Sequence, residues 1–529
     1  MALTELYDTT LRDGTQAVGI SLSVEDKLRI AEKLDGLGIK YIEGGWPGSN
    51  PKDAEFFRSA RDLDLKQAVI VAFSSTRRAG AQVETDPNIV ALLDSGTSVV
   101  TLVGKSWDLH VRNVLETSLE ENLNMIADSI SYLKSKGLSV IYDAEHFFDG
   151  YKADPEYALQ TVKVAGQAGA ERIVLCDTNG GSLPAEVTSI VTEVAGAVDT
   201  PLGIHAHNDG ELAVANSLAA VAGGAIQVQG TINGIGERCG NANLVSVIAN
   251  LKLKQGVDCV TDEQLANLKD VASFVNERAN QSPNPFQPFV GDNAFSHKAG
   301  LHASAMAKDE LSYQHIDPTK VGNVKSVVVS ELSGRSNVIA KAREIGIDLS
   351  SHKDVTKWVV DEMKLLESRG YVFEGAEASF ELLLRRAMPG YKPPFELVDF
   401  MVIAERRRRS STRNDGDESL SEATVKVRVD GVLMHTAAEG DGPVNALDQG
   451  LRSALVQFYP NLSVVRLTDY KVRIVDETAG TEAAVRVLID SSDHEKHWST
   501  VGASTNVIDA SWFALADSLE YWLVNQRDA

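Results

Sequence analysis

The chain has 529 residues, 43% of them hydrophobic and 24% charged, with 74 acidic against 51 basic side chains and a formal charge of -23. This length predicts two or three compact units, and the acidic balance excludes general nucleic-acid binding, which needs a basic surface against phosphate. The opening MALTELYDTT lacks a basic region followed by an apolar run, and no stretch of about 18 apolar residues occurs, so the expectation is a cytoplasmic globular protein without membrane association.

From the start to about residue 255, short apolar runs alternate with longer helix-patterned segments. Candidate strands are Glu5–Asp8, Ile39–Gly44, Ala68–Phe73, Ser98–Val103, Ser139–Asp143, Arg172–Cys176, Leu202–Ala206 and Ala225–Gln229. Between them lie Val24–Leu37, Leu119–Lys136, Pro155–Gln167 and Glu211–Ala222, each with apolar residues at helical spacing. Ser23 is placed to cap the first helix and Gly38 to stop it. Eight βα units in about 250 residues predict an N-terminal (β/α)8 TIM barrel over residues 1–275. A doubly wound sheet is the rival, but no glycine fingerprint follows the first strand.

Beyond the barrel the rhythm breaks. Helical stretches Thr261–Ala279, Val355–Ser368 and Ala378–Ala387 are separated by Pro- or Gly-rich loops, including SPNPFQPF and GDNAFSHKAGLHAS, which predicts a helical subdomain over 276–404. ERRRRSSTRNDGDES reads as an exposed charged linker, 405–420, although its arginines could also meet phosphate. Over 421–529, ATVKVRVDG and AAVRVLID alternate as half-buried strands, and each leads through a glycine-containing turn, Gly440–Gly442 or Gly502–Ser504, into a helix, Ala446–Phe458 or Ile508–Leu523. The result is a duplicated α+β domain of two ββα halves, suited either to a small ligand or to dimerisation.

Chemistry on a barrel sits at the C-terminal strand ends, and here nearly every one is polar: YDTTLRDGTQ, IEGGWPGS, IYDAEHFFDG, LCDTNGG, GIHAHND and GTINGIGERCGNANL. His205 and His207 lie two apart on a strand, so both imidazoles share one face. Asp13 can add an oxygen ligand and Asn241 a fourth, a mixed N/O set suited to Mn2+, Mg2+, Fe2+, Co2+ or Zn2+. Two surface histidines would be the ordinary alternative. Three cysteines, Cys176, Cys239 and Cys259, cannot all pair and show no CxxC spacing, so reduced thiols are expected.

DTTLRDGTQ, HAHND and GTINGIGERCGNANL together resemble the isopropylmalate, homocitrate and citramalate synthase family, within the metal-dependent aldolase-like barrels. The resemblance covers essentially the whole chain, because that family also appends a helical subdomain and a duplicated C-terminal regulatory domain. LSVEDKLRIAEKLDGLGIKYIEGGWPGSNPKDAEFF is most similar to its long citramalate synthase type.

The resemblance implies a metal held by Asp13, His205 and His207, with Asn241 as a further or weaker ligand. It implies Arg12 on the keto oxygen of a 2-keto acid, where a fixed cation would stabilise the alkoxide that forms; a salt bridge from Arg12 to Glu43 is the bland alternative. Thr178 matches a carboxylate-binding position, or is simply a turn-forming threonine. Glu145 and His302 match the functional carboxylate and the catalytic histidine. His297 could share the latter role or serve a structural bond. Ser304 stands where relatives often have an acidic residue, and Tyr313 is either a further participant or a buried core tyrosine.

The implied reaction condenses acetyl-CoA with pyruvate to give citramalate and CoA, at the entry to isoleucine biosynthesis. Isopropylmalate or homocitrate synthesis from a larger keto acid is the alternative, and a retro-aldol lyase a more distant one. Isoleucine as effector and a homodimer as assembly are implied in the same way.

Overall fold

The computed structural model describes residues 4–297, 302, 305–306, 309, 312–324, 326–327, 335–349, 352–406, 419–475 and 482–527. Eight parallel strands close into a barrel in chain order: β1 (Glu5–Asp8), β2 (Tyr41–Gly45), β3 (Val69–Ser75), β4 (Val99–Lys105), β5 (Ser139–Glu145), β6 (Arg172–Asp177), β7 (Leu202–Ala206) and β8 (Gln227–Gly230). Closure is made by β1, which pairs with β2 on one side and β8 on the other, so no open edge remains and the doubly wound alternative is excluded.

Local sequence explains the alternation. The helix Val24–Leu37 starts at a capping box in which Ser23 and Asp26 exchange side-chain and backbone bonds, and it stops at Gly38, whose φ of +96° needs a residue without Cβ. Its Ile30, Ala31, Leu34 and Leu37 face inward at helical spacing. The main core lies between strands and helices, while Tyr7, Val71, Ile141, Val174 and Cys176 form a separate cluster. The helix expected over Thr261–Ala279 is two, Asp262–Ala266 and Leu268–Arg278, interrupted at Asn267.

The chain divides into two compact units, residues 1–295 with 315–325, and residues 296–314 with 326–529. The stretch 276–404, expected to be one subdomain, is therefore split. Phe289, Val290, Phe295, Ile316 and Val321 belong to the barrel's own hydrophobic core. In the second unit, helices Arg335–Glu344, Lys353–Ser368 and Glu377–Ala387 enclose an apolar cluster that includes Val338, Val359, Met363, Phe380 and Leu384.

The C-terminal halves are each three strands and a helix, one strand more than expected. Glu396–Arg406, Ser419–Val429 and Val432–Gly440 form an antiparallel sheet followed by Pro443–Leu455; Arg466–Ile474, Val485–Ser492 and His497–Ser504 form another followed by Val507–Arg527. The first sheet starts before the charged run, since Glu396–Arg406 pairs along its length with Ser419–Val429. The boundary expected at 404/405 thus falls at the end of a strand whose partner lies beyond the run; residues 407–418 of that run lie outside the described residues. Gly502 is also not in a turn. It sits within His497–Ser504, and a Cβ there would lie 2.1 Å from the carbonyl oxygen of Ala510. Among the described residues no helix is long and apolar enough to cross a membrane.

Candidate active site

A cavity of about 540 Å³ opens at the C-terminal ends of the barrel strands, and Arg12, Asp13, Glu145, Thr178, His205 and His207 all line it. Asp13 opens the short turn Asp13–Gln16 after β1, His205 is on β7, and His207 lies just beyond that strand. Among the described residues these three form the one cluster of His, Cys, Asp and Glu side chains able to hold a metal ion, with candidate ligand atoms all within 4.8 Å of one another. His205 Nε2 is 3.3 Å from His207 Nε2 and 3.5 Å from Asp13 Oδ2, and His207 Nε2 is 3.9 Å from the same oxygen.

The fourth expected ligand is held beside them. Asn241 forms an isolated backbone bridge with His207, and its side chain is buried with neither polar atom hydrogen-bonded. Glycines shape that loop: a Cβ on Gly236 would lie 2.2 Å from Asn241 Nδ2, and one on Gly240, at φ +88°, would lie 1.9 Å from the carbonyl oxygen of Gly234. Asp13 Oδ1 is likewise buried without a hydrogen bond. Buried polar atoms in native proteins are almost always satisfied, so the orphaned Asn241 and Asp13 atoms fit a bound divalent cation.

Electrostatics agree with that fit. Burial acts to raise the Asp13 carboxyl, but Arg12 first and then the two histidines hold it well below the usual carboxylate range, so it stays charged. Burial, then the charge of His205, pushes His207 down to about 3, leaving a neutral imidazole with a lone pair to offer. Burial opposes protonation of His205 as well, yet Asp13 raises it overall, so a cation there would compete with a proton.

Arg12 makes the salt bridge to Glu43 that the sequence allowed for, and it also borders the cavity. Its Nε pairs with Glu43, its Nη1 lies 3.5 Å from Asp13 Oδ2, and its guanidinium carbon stands 4.0 Å over the Phe73 ring, while the side chain still lines the cavity. Glu43 is fixed in turn by the Tyr7 hydroxyl at 2.7 Å. Thr178 ties its turn to two other loops: its Oγ1 accepts the His146 N–H at 2.9 Å and its carbonyl accepts Arg238 Nη2 at 2.7 Å. Glu145 forms an ion pair with Lys105.

His302 belongs to the second unit and stacks on Tyr313, with ring centroids 4.2 Å apart at 25°, and His297 meets its ring edge at 6.3 Å. Tyr313 is 44% exposed, so it is not the buried core tyrosine that the sequence allowed for. Ser304 lies outside the described residues.

Several polar residues of the site were not singled out from sequence. Lys105 and Asp143 line the cavity, Arg238 joins its rim to Asp209, and Gln229 touches His205. Burial, followed by the charge of Glu43, pushes the Asp143 carboxyl up to about 7. The available signal was polarity in an otherwise apolar strand: IYDAE on β5 and QVQG on β8 carry residues that a purely structural barrel core would not use.

Comparison with known proteins agrees with this architecture. Residues 4–275 match the HMGL-like family, residues 289–370 the homocitrate synthase post-HMGL domain-like family, and residues 374–523 the LeuA allosteric (dimerisation) domain. The chain is 55% identical to an (R)-citramalate synthase of Geobacter sulfurreducens, over 99% of this chain and 98% of that one. It is 53% identical to an (R)-citramalate synthase of Aquifex aeolicus at the same coverage of each. Identity to a probable 2-isopropylmalate synthase of Methanopyrus kandleri is 31%, over 99% of both chains. With full-length identity of this order and an HMGL-like barrel bearing a buried Asp-His-His cluster, the chain belongs to the citramalate synthase family.

Proposed function

We propose that this enzyme condenses acetyl-CoA with pyruvate to give citramalate and CoA. The observation that carries the reading is the buried Asp13, His205 and His207 cluster at the mouth of the barrel, with Arg12 beside it, in a chain 55% identical over its length to an (R)-citramalate synthase.

Asp13, His205 and His207, with Asn241, would hold a divalent ion such as Mn2+, Mg2+, Co2+ or Zn2+, which supplies Lewis acidity to the keto group. Arg12 directs its guanidinium to the keto oxygen and stabilises the negative charge that grows there. The Thr178 hydroxyl accepts from His146, so its own O–H remains to donate to the pyruvate carboxylate. The family resemblance makes His302 the base for the acetyl methyl proton and Glu145, paired here with Lys105, the functional carboxylate. The resulting carbanion forms the carbon–carbon bond with the keto carbon, and the alkoxide takes up a proton. Water then cleaves the thioester, releasing the CoA thiol and the new carboxylate.

The resemblance that assigns His302 implies that the segment carrying it takes part in catalysis. For the residues after 420, the match to the LeuA allosteric (dimerisation) domain and the duplicated architecture support isoleucine as inhibitor and a homodimer as assembly. Three unpaired cysteines support a reducing, cytoplasmic setting. Thiol release should be measured with pyruvate, 2-ketobutyrate, 2-ketoisovalerate and 2-ketoglutarate. Pyruvate is expected to give the highest kcat/KM; preference for 2-ketoisovalerate or 2-ketoglutarate would transfer the enzyme to isopropylmalate or homocitrate synthesis.

A further inference from the structure

Behind the metal-type cluster runs a buried chain of hydrogen bonds. His205 Nδ1 lies 2.9 Å from Gln229 Oε1, and Gln229 Nε2 donates to Asp143 Oδ1 at 3.0 Å. His205, Gln229 and Asp143 are 5%, 0% and 3% exposed, so water does not compete for these bonds. The contact is built into the sheet, because His205 on β7 and Gln229 on β8 are cross-strand partners. His207 differs: its Nδ1 is buried and makes no hydrogen bond.

A neutral imidazole carries one N–H, and the nitrogen that binds a metal must be the bare one. The Gln229 oxygen accepts the Nδ1 proton and so leaves the His205 Nε2 lone pair facing Asp13 and His207. A glutamine amide presents nearly the same shape either way round, and reversing it would place an NH2 against Nδ1 and drive the proton to Nε2, where it would block a cation. Asp143 Oδ1 accepts from the amide nitrogen and holds the amide in the first orientation. We propose that Gln229, oriented by Asp143, is a positioning residue that fixes the tautomer of His205 for metal binding. This rests on the metal-site reading above and extends it to Gln229, which stands behind His205 and outside the cavity lining.

The test uses the full-length, metal-free protein titrated with Mn2+ by calorimetry. Gln229→Leu removes the acceptor and should weaken Mn2+ binding about 10–100-fold, whereas Gln229→Glu still accepts the Nδ1 proton and should bind within a few-fold of the parent. Thermal unfolding of the metal-free variants reports whether either change acts only through the fold. A second readout needs no variant: in unmodified protein labelled with 15N-histidine and loaded with Zn2+, His205 should carry its proton on Nδ1. Equal affinity of Gln229→Leu and the parent, or coordination of His205 through Nδ1, would overturn the proposal. If the parent itself binds no Mn2+, the metal-site reading fails instead, so the two failures are distinguishable.

Discussion

Arg12, on the cavity wall, pairs with the buried carboxylate of Glu43, with the guanidinium laid over Phe73 and a second nitrogen turned toward Asp13. A planar five-donor group can hold Glu43 and still present N–H bonds to a substrate oxygen, which a lysine ammonium in that position cannot do in the same geometry. Arg12→Lys should therefore lower kcat about a hundred- to a thousandfold, with a smaller rise in KM for the keto acid. Steady-state kinetics at saturating divalent ion check this, and an unchanged kcat removes Arg12 from the chemistry.

His207 supplies a neutral imidazole to the cluster because burial and the charge of His205 keep it unprotonated. His207→Ala should abolish both stoichiometric metal binding and turnover, while leaving the barrel folded. Metal analysis of the purified variant, paired with circular dichroism, checks the two together; full activity after exhaustive chelation of the parent protein would contradict the metal assignment.

The thiols should differ sharply in reactivity. Cys176 and Cys259 are buried, and burial pushes the first thiol well up and the second up to about 11, so both remain protonated at neutral pH. Cys239 is exposed on the glycine loop after β8. Iodoacetamide on the native protein should label Cys239 alone, as read by peptide mass mapping; rapid labelling of Cys176, which borders the cavity, would contradict this by showing that its thiol reacts from the cavity wall.

Gly502 lies where a C-terminal strand runs close against its helix, and a methyl group there meets the Ala510 carbonyl. Gly502→Ala should cost about 1–3 kcal/mol of stability through overpacking. Denaturant unfolding of the full chain reads this, and no change in midpoint would show that the strand and helix separate at little cost.

The barrel was legible because two periodicities, the alternation of strands with helices and the polar residues at strand ends, both appear in one dimension. Ser23 and Gly38 bound their helix as read, and HAHND placed two imidazoles on one face. Other features depend on pairing that no local pattern carries. Glu396–Arg406 mixes charges with apolar residues such as Met401 and Ile403 that are more than half exposed, so it lacks the clean alternation of a half-buried strand until its partner is known. Gln229 gains its place from register with His205, 24 residues earlier, and Tyr313 reads as an ordinary aromatic until its ring is found against His302.

Product identification tests the central claim most directly. The full chain, stripped of metal, is incubated with acetyl-CoA and pyruvate, with and without added Mn2+, and the products are resolved by mass spectrometry. Citramalate and free CoA should appear in equal amounts, only with the divalent ion; a folded, Mn2+-loaded enzyme that forms no citramalate, or one that forms it equally well without metal, would contradict the account.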